Sequence, residues 1–225
     1  MFILRTLLAT LLLGSHSVSK ERVSFPTQDG GVVYADLYGQ GDRGVVLVHG
    51  GRFNKESWAK QAVVLAKAGF RVLAIDLRGY GQSRGPGDSD PMDAPLHLDV
   101  LAAVRYLHKS GVKSVSLVGG SMGGGAAADA SIDANPGEID RLVLLAGYGS
   151  GPPEKLKGRK LFIVARDDTE GEGVLRLPKI RAYYEKAPEP KELIVVDGSA
   201  HAQYLFATDQ GERVMNEILR FLSAP

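Results

Sequence analysis

The amino-acid sequence predicts an α/β fold built on one mostly parallel sheet. Short apolar runs, rich in leucine and β-branched residues, alternate with longer stretches of helical periodicity. The runs show almost no polar alternation, which is typical of strands buried on both faces of a parallel sheet. Strands that alternate with helices predict βαβ units, with helices on both faces of the sheet. No repeat, low-complexity tract or linker divides the chain, so we expect residues 20–225 to form a single domain.

An antiparallel hairpin is predicted at the start of this domain. Residues 22–25 and 32–38 flank an Asp29-Gly30 pair, and Asp-Gly between apolar runs favours a tight hairpin turn. Further strands are predicted over residues 44–48, 72–75, 114–118, 142–145, 161–165 and 193–196. Helices are predicted over residues 57–68, 95–109, 122–134, 174–186 and 203–222. In such a sheet the chemistry takes place at the carboxyl ends of the strands, so residues that directly follow a strand are the candidates for a functional site.

The composition excludes several functions. The chain carries 27 Lys and Arg against 26 Asp and Glu, a net charge of +1, and no basic block stands out. We therefore expect no nucleic-acid partner. The sequence contains no cysteine, which rules out disulfides, a thiol nucleophile and Cys-ligated zinc. We expect a small-molecule substrate and neither a metal ion nor a cofactor.

The first 19 residues have the outline of a secretory signal. An arginine near the start precedes an apolar stretch over residues 7–13, and Ser15-His16-Ser17 provides a small-x-small pattern for a signal peptidase. The stretch is much shorter than the roughly 20 residues that a permanent bilayer span requires. We expect export to the periplasm or the medium. The alternative is an apolar segment that packs on the domain, in a protein that stays in the cytoplasm.

Ser121 is the candidate nucleophile. The predicted strand 114–118 leads into Gly119-Gly120-Ser121-Met122-Gly123, a G-x-S-x-G motif between a strand and a helix, which is the setting of a nucleophile elbow. So sharp a turn needs neighbours without bulk, and Gly119 and Gly123 meet that requirement. At the amino end of a helix, the backbone N–H of Met122 can stabilise an oxyanion beside Ser121. The alternative is a glycine-rich turn with an idle serine.

The same glycines loosely match a cofactor-binding loop. Residues 123–128, Gly-Gly-Gly-Ala-Ala-Ala, fit the G-x-G-x-x-A pattern of a dinucleotide-binding turn. That pattern belongs directly after the first strand, with an acidic residue about 20 positions further on. Here the glycines lie within a predicted helix behind a later strand, so we expect no bound dinucleotide.

His201 and two adjacent aspartates complete the candidate site. A serine hydroxyl needs a base to remove its proton, and that base is usually a histidine oriented by a carboxylate. His201 follows the predicted strand 193–196, and Asp167 and Asp168 follow the strand 161–165. Adjacent residues tend to face opposite ways, so only one aspartate can reach His201. The order serine, acid, histidine along the chain is the order of hydrolases with this elbow.

Four motifs resemble those of the α/β-hydrolase superfamily, and the resemblance runs from about residue 23 to residue 222. The motifs are His49-Gly50-Gly51, Asp76-Leu77-Arg78-Gly79-Tyr80-Gly81-Gln82-Ser83, the elbow at Ser121, and Gly198-Ser199-Ala200-His201. The resemblance implies a triad of Ser121, Asp168 and His201, because the family's G-x-x-D spacing falls on Asp168. Alanine stands where that glycine is common, so Asp167 remains an alternative.

The resemblance also implies oxyanion donors from the backbone of Gly51 and Met122, with Arg52 as the alternative to Gly51. Asp76 and Arg78 belong to a motif that is mostly structural in the family. We expect His49 to be structural as well, because it precedes the loop at the end of its strand.

The chain is similar to the small family members that lack a lid, such as dienelactone hydrolases and compact carboxylesterases. Residues 147–160 are too few, and too rich in glycine and proline, for a helical cap. The resemblance implies a serine hydrolase that cleaves a small ester or related acyl substrate through an acyl-enzyme. One alternative is a cofactor-free perhydrolase or haloperoxidase-like activity of the same triad, which Met122 after the serine weakly indicates. Another is a non-catalytic binding protein on the same fold, which the presence of all three triad residues disfavours.

Overall fold

The computed structural model describes residues 18–90 and 93–225. The expected signal, residues 1–19, therefore lies outside the described residues except for its last two positions. Across the two described ranges, no helix has both the length and the apolar character needed to cross a membrane.

The described strands form one eight-stranded sheet. Their bounds are β1 (Lys20–Pro26), β2 (Val32–Tyr38), β3 (Arg43–Val48), β4 (Phe70–Ile75), β5 (Ser114–Gly120), β6 (Arg141–Leu145), β7 (Arg159–Ala165) and β8 (Lys191–Val196). Their order across the sheet is β1-β2-β4-β3-β5-β6-β7-β8. Strand β2 runs antiparallel to both of its neighbours, and all other neighbouring pairs are parallel. The predicted mostly parallel sheet with an antiparallel hairpin at its start is confirmed.

The turn between β1 and β2 follows from its glycines. The backbone N–H of Thr27 donates to the carbonyl of Gly31 at 2.9 Å, and the N–H of Gly31 donates to Oγ1 of Thr27 at 2.7 Å. Gly30 has a φ of 88°, a left-handed conformation that favours glycine. The Asp-Gly signal therefore marks the position of the hairpin.

The central strands are covered on both faces. In β3, β5, β6 and β7 every residue after the first is buried. Successive side chains of a strand point to opposite faces, so continuous burial requires cover on both. This explains why these strands lack the polar alternation of a sheet with one solvated face.

The helices lie between the strands, as expected. Their bounds are α1 (Ala59–Lys67), α2 (Leu96–Lys109), α3 (Met122–Asp133), α4 (Arg176–Lys186) and α5 (Gly211–Ser223). Helix α1 packs on β4, α2 and α3 pack against each other, and α4 packs on β7.

The single helix predicted over residues 203–222 is wrong, because the segment is divided. A 3₁₀ helix, Ala202–Ala207, is separated from α5 by a turn at Thr208, whose backbone is extended (φ −102°, ψ 174°). Oγ1 of Thr208 donates to the carbonyl of Leu205 at 2.7 Å and accepts from the N–H of Gln210 at 3.2 Å. These bonds compete with those of a helix, so the threonine ends one helical segment before the next begins.

The functional candidates meet at one edge of the sheet. Strands β3, β5, β7 and β8 are parallel, so their carboxyl ends lie on the same side. The loops that follow these strands carry Gly51, Ser121, Asp168 and His201 respectively. The topology thus brings together residues that are far apart in the sequence.

Candidate active site

Ser121 stands on a strained turn between β5 and α3. Its backbone has a φ of 52° and a ψ of −119°, a left-handed conformation that costs a non-glycine residue roughly 1–3 kcal/mol. The N–H of Ser121 donates to the carbonyl of Leu145 at 2.9 Å, and its own carbonyl accepts from Gly125 at 3.0 Å. The neighbouring strand and the new helix therefore hold the turn in place.

The two motif glycines are required by close backbone contacts. A Cβ atom on Gly119 would lie 2.4 Å from the carbonyl oxygen of Gly123. A Cβ atom on Gly123 would lie 2.4 Å from the carbonyl oxygen of His49 and 2.5 Å from that of Val48. Helix α3 thus starts directly against the end of β3, with no space for a side chain between them.

Ser121, His201 and Asp168 form a continuous hydrogen-bonded chain. Nε2 of His201 lies 2.7 Å from Oγ of Ser121, and Nδ1 lies 2.7 Å from Oδ2 of Asp168. An ionised carboxylate can only accept, so Nδ1 carries the proton and Nε2 is free to accept the serine hydroxyl. This geometry is the one that the expected roles of nucleophile, general base and orienting acid require.

The structure brings Asp168, and not Asp167, to the histidine. The Asp168 side chain is 1% exposed and bonded to His201, whereas Asp167 is exposed. One of the two adjacent aspartates is therefore buried and the other exposed, which agrees with the expectation that only one of them faces inward. The N–H of Asp167 donates to the carbonyl of Gly198 at 2.9 Å, which ties the loop of the acid to the loop of the histidine.

The loop after β3 carries the expected oxyanion donor. The carbonyl of Gly51 accepts a hydrogen bond of 3.0 Å from the Tyr80 hydroxyl. Among the described residues, the N–H groups of Gly51, Arg52 and Met122 have no hydrogen-bond acceptor. The three residues line the same cleft as Ser121. Both expected donors, and the alternative at Arg52, thus lie in residues of the cleft and have no acceptor within the described protein.

His49 is engaged away from the serine. The ring is fully buried, its Nε2 accepts from the N–H of Leu77 at 3.2 Å, and its Nδ1 therefore donates to the carbonyl of Gly50 at 2.9 Å. Burial lowers the pKa of His49, which favours this neutral form. Its contacts hold the start of the loop and leave no nitrogen for proton transfer at Ser121.

Asp76 and Arg78 also serve the framework. The Asp76 carboxylate accepts from the backbone N–H and from Nζ of Lys55, at 2.8 and 2.7 Å. Arg78 is buried between Asp99, at 2.7 Å, and Asp29, at 2.6 Å. The hydrogen bonds from Arg78 lower the pKa of Asp29 to about 2. These pairs fix the loop after β4 beneath the site.

A cleft of about 860 Å³ opens above the serine. Its lining consists of the loops that follow the central strands, namely Gly50, Gly51, Arg52, Phe53, Tyr80, Ser121, Met122, Gly125, Ala146, Gly147, Tyr148, Thr169, Glu170, Gly171, Arg176, His201, Ala202 and Tyr204. Between β6 and β7 the described chain has only a three-residue 3₁₀ turn, Pro153–Lys155. Asp129 holds this connection down through the N–H groups of Ser150 and Gly151. No helical lid covers the cleft in the described ranges.

Three residues that the sequence analysis did not assign to the site belong to its surroundings. Tyr80 holds Gly51, Gln203 holds Gly50 at 2.7 Å, and Arg176 lies beside Asp168. The described residues contain no group of three or more His, Asp or Glu side chains that could hold a metal ion.

Comparison with known proteins agrees with this fold. A family model described as the alpha/beta hydrolase fold matches residues 44–179, more than half of the chain. The chain therefore belongs to the α/β-hydrolase fold family.

Two curated relatives show how far the similarity in sequence extends. The chain is 33% identical over 125 residues to a non-heme haloperoxidase of Rhodococcus erythropolis, covering 56% of this chain and 43% of that protein. It is 38% identical over 100 residues to a bifunctional esterase/perhydrolase of Acinetobacter calcoaceticus, covering 44% of this chain and 35% of that protein. The similarity thus spans less than half the length of either relative.

Solved structures match over nearly the whole chain. An esterase of Pyrococcus furiosus superposes with a TM-score of 0.77 at 19% identity, covering 91% of this chain and 92% of that chain. A dienelactone hydrolase of Anabaena variabilis gives a TM-score of 0.70 at 21% identity, covering 91% and 96%. At these identities the likeness establishes the fold alone.

Proposed function

We propose that this protein is a serine hydrolase that cleaves small esters or related acyl compounds. The observation that carries the proposal is the hydrogen-bonded chain from Ser121 through His201 to Asp168, with both links at 2.7 Å, in an open cleft. A serine outside such a chain is a poor nucleophile, because nothing removes its proton. The family membership and the relatives named as esterases support the same class of chemistry.

The proposed reaction has two stages. Oγ of Ser121 attacks the substrate carbonyl while Nε2 of His201 takes its proton, and Asp168 stabilises the resulting imidazolium. The N–H groups of Met122 and Gly51 donate to the oxyanion of the tetrahedral intermediate. The intermediate collapses, His201 gives its proton to the departing alkoxide, and the acyl group stays on Ser121. Water, activated by His201, then attacks the acyl-enzyme and releases the acid.

The open cleft supports a small substrate. The short connection between β6 and β7 does not enclose the cleft. Water has access to the acyl-enzyme, which suits hydrolysis and disfavours chemistry that must exclude water.

A second proposed activity is perhydrolysis. In this reaction hydrogen peroxide replaces water in the second stage, so the acyl-enzyme yields a peracid and free Ser121. The relatives named as a haloperoxidase and as an esterase/perhydrolase favour this candidate. The discriminating measurement is the ratio of peracid to carboxylic acid formed from one ester at a fixed peroxide concentration. A ratio no higher than that of the uncatalysed reaction excludes perhydrolysis.

The test of the main proposal is Ser121→Ala. We expect the variant to lose ester hydrolysis and to lose labelling by a fluorophosphonate probe, while the thermal unfolding midpoint stays near that of the wild type. Ser110→Ala is the matched control. Ser110 follows the last residue of α2 and lies near the amino end of β5, at the edge of the sheet away from the cleft. Wild-type turnover by Ser121→Ala would contradict the proposal, and a wild-type chain that neither hydrolyses esters nor takes the label would favour a binding protein.

We propose in addition that residues 1–19 direct export. Expression of the full chain in a bacterial host should give exported protein that begins after Ser17, as determined by amino-terminal sequencing. Cytoplasmic protein that keeps all 19 residues would contradict this.

A further inference from the structure

Gln203 connects the loop of the histidine to the loop of the expected oxyanion donor. It is the second residue of the 3₁₀ helix that begins directly after His201, and it is only 7% exposed. Its Oε1 accepts from the N–H of Gly50 at 2.7 Å, and its Nε2 donates to Oγ of Ser57 at 2.7 Å. Both ends of this buried amide are therefore satisfied.

The hydrogen bonds of Gly50 determine how the next peptide is oriented. The carbonyl of Gly50 accepts from the N–H of Phe53 at 3.0 Å and from Nδ1 of His49 at 2.9 Å. In a trans peptide the N–H of Gly51 points away from that carbonyl. A flip of this peptide would break both bonds, so the Gly51 N–H keeps one direction as long as Gly50 stays in place.

Gln203 also packs between this loop and the elbow. A Cβ atom on Gly120 would lie 3.3 Å from Oε1 of Gln203, and a Cβ atom on Gly50 would lie 3.2 Å from the carbonyl oxygen of Gly120. The amide thus sits where the loop after β3 approaches the loop after β5. Gln203 does not line the cleft, so it acts on a ligand only through the backbone that it holds.

We infer that Gln203 is a positioning residue that fixes the Gly50–Gly51 peptide for oxyanion binding and couples it to the loop of His201. The inference rests on the proposed hydrolase function. Loss of the Gln203 amide leaves the buried N–H of Gly50 without its acceptor and lets the loop move. Displacement of an oxyanion donor reduces the stabilisation of the transition state more than that of the ground state.

The experiment compares Gln203→Leu with the wild type in the full-length protein. We expect kcat to fall by about tenfold or more, since complete loss of one oxyanion donor costs about 10²–10³ in kcat, while KM changes by less than about twofold. The affinity for a boronic acid that forms a tetrahedral adduct with Ser121 should fall in parallel with kcat/KM. Affinity for the product carboxylate should not change.

Three further variants make the test specific. Ser57→Ala removes the partner of Nε2, together with the bond from the Ser57 hydroxyl to the carbonyl of Asn54, but keeps the acceptor of the Gly50 N–H. We therefore expect most of the activity to remain. Gln61→Leu makes the same substitution on α1, where Oε1 of Gln61 is buried without a hydrogen bond in the described structure, and should leave kcat unchanged. Gln203→Asn keeps an amide but is one methylene too short to reach both partners. It decides the question if Gln203→Leu does not fold.

The outcomes separate this inference from the proposed function. Wild-type kcat and boronate affinity in Gln203→Leu, or in Gln203→Asn where the leucine variant does not fold, would overturn the positioning role. A rise in KM at constant kcat would also overturn it. That pattern indicates the loss of an interaction made equally in the ground state and the transition state. Turnover by Ser121→Ala would overturn the hydrolase proposal itself.

Discussion

Nε of Arg176 and Oδ1 of Asp168 face one another at 3.6 Å, and both are buried without a hydrogen bond in the described structure. The other oxygen of Asp168 is bonded to His201. A separate backbone bond, from the N–H of Arg176 to the carbonyl of Asp168 at 2.9 Å, holds the two loops together. The guanidinium of Arg176 and the imidazole of His201 thus face different oxygen atoms of the Asp168 carboxylate.

The first prediction follows from this ion pair. Arg176 is partly exposed, whereas the carboxylate of Asp168 that it faces is almost fully buried. Removal of one partner of a buried ion pair leaves an uncompensated charge and destabilises the fold. In Arg176→Gln the free energy of unfolding should therefore fall by about 1–3 kcal/mol, less than for a fully buried pair, as measured by thermal unfolding.

Arg176→Lys is the matched control for that loss of stability. It keeps a positive charge near Asp168, so its unfolding midpoint should stay closer to that of the wild type. An unfolding midpoint of Arg176→Gln equal to that of the wild type would contradict the electrostatic argument.

The second prediction compares the two adjacent aspartates. Asp168→Asn should lower kcat by about 10⁴, the cost of neutralising the acid of a serine triad, because an amide can hold the imidazole in the wrong tautomer. Asp167→Asn should leave kcat within about twofold of the wild type, since its side chain is exposed. Steady-state kinetics on one ester substrate checks both, and the opposite ranking would move the acid one residue upstream.

The third prediction concerns the glycines of α3. Gly123→Ala places a methyl group 2.4 Å from the backbone of His49, and overpacking of this kind costs about 1–3 kcal/mol. Gly125→Ala places one 3.0 Å from the carbonyl oxygen of Tyr148, which belongs to a loop. Both gain similar helix propensity, so the difference between their unfolding midpoints isolates the clash. Equal unfolding midpoints of the two variants would contradict the prediction, because they would show that the end of β3 moves to accommodate the methyl group at little cost.

The fourth prediction concerns substrate size. Each methylene that stays in water forgoes about 0.8 kcal/mol of transfer free energy, and an uncovered cleft leaves a long acyl chain exposed. Catalytic efficiency on p-nitrophenyl esters should therefore peak at short acyl chains, with no jump in rate at the micelle concentration. A steady rise towards long chains would indicate an apolar cover that the described residues do not provide.

Local signals in the sequence were sufficient to predict where Ser121 and His201 lie in the fold. The glycines at the elbow and the position of the histidine after a strand are both visible without a structure. The preference for Asp168 over Asp167 came only from the family's G-x-x-D spacing, because alternation shows that the two side chains diverge but not which one turns inward. That depends on the turn after β7, where the N–H of Asp168 donates to the carbonyl of Ala165 at 3.3 Å.

The supporting residues could not be predicted because their partners are distant in sequence. Gln203 and Gly50 are 153 positions apart, and no periodicity or motif relates them. Tyr80 stood within a recognised motif, but nothing local indicated that its hydroxyl would reach Gly51. The break before α5 was also missed. Thr208 interrupts the helix only because its side chain bonds to the backbone, and the sequence does not show that bond.

The direction of β1 determines how the molecule can be attached to a surface. Strand β1 runs parallel to β4, so Lys20 lies at the edge of the sheet opposite the cleft. Arg141 and Arg159, the first residues of β6 and β7, donate to the main-chain oxygen atoms of Ala224 and Pro225 at 2.6 and 2.8 Å. Both ends of the described chain therefore emerge on the side away from Ser121. A carrier or solid support attached near Lys20 or Pro225 leaves the mouth of the cleft turned outward, towards a substrate that arrives from solution.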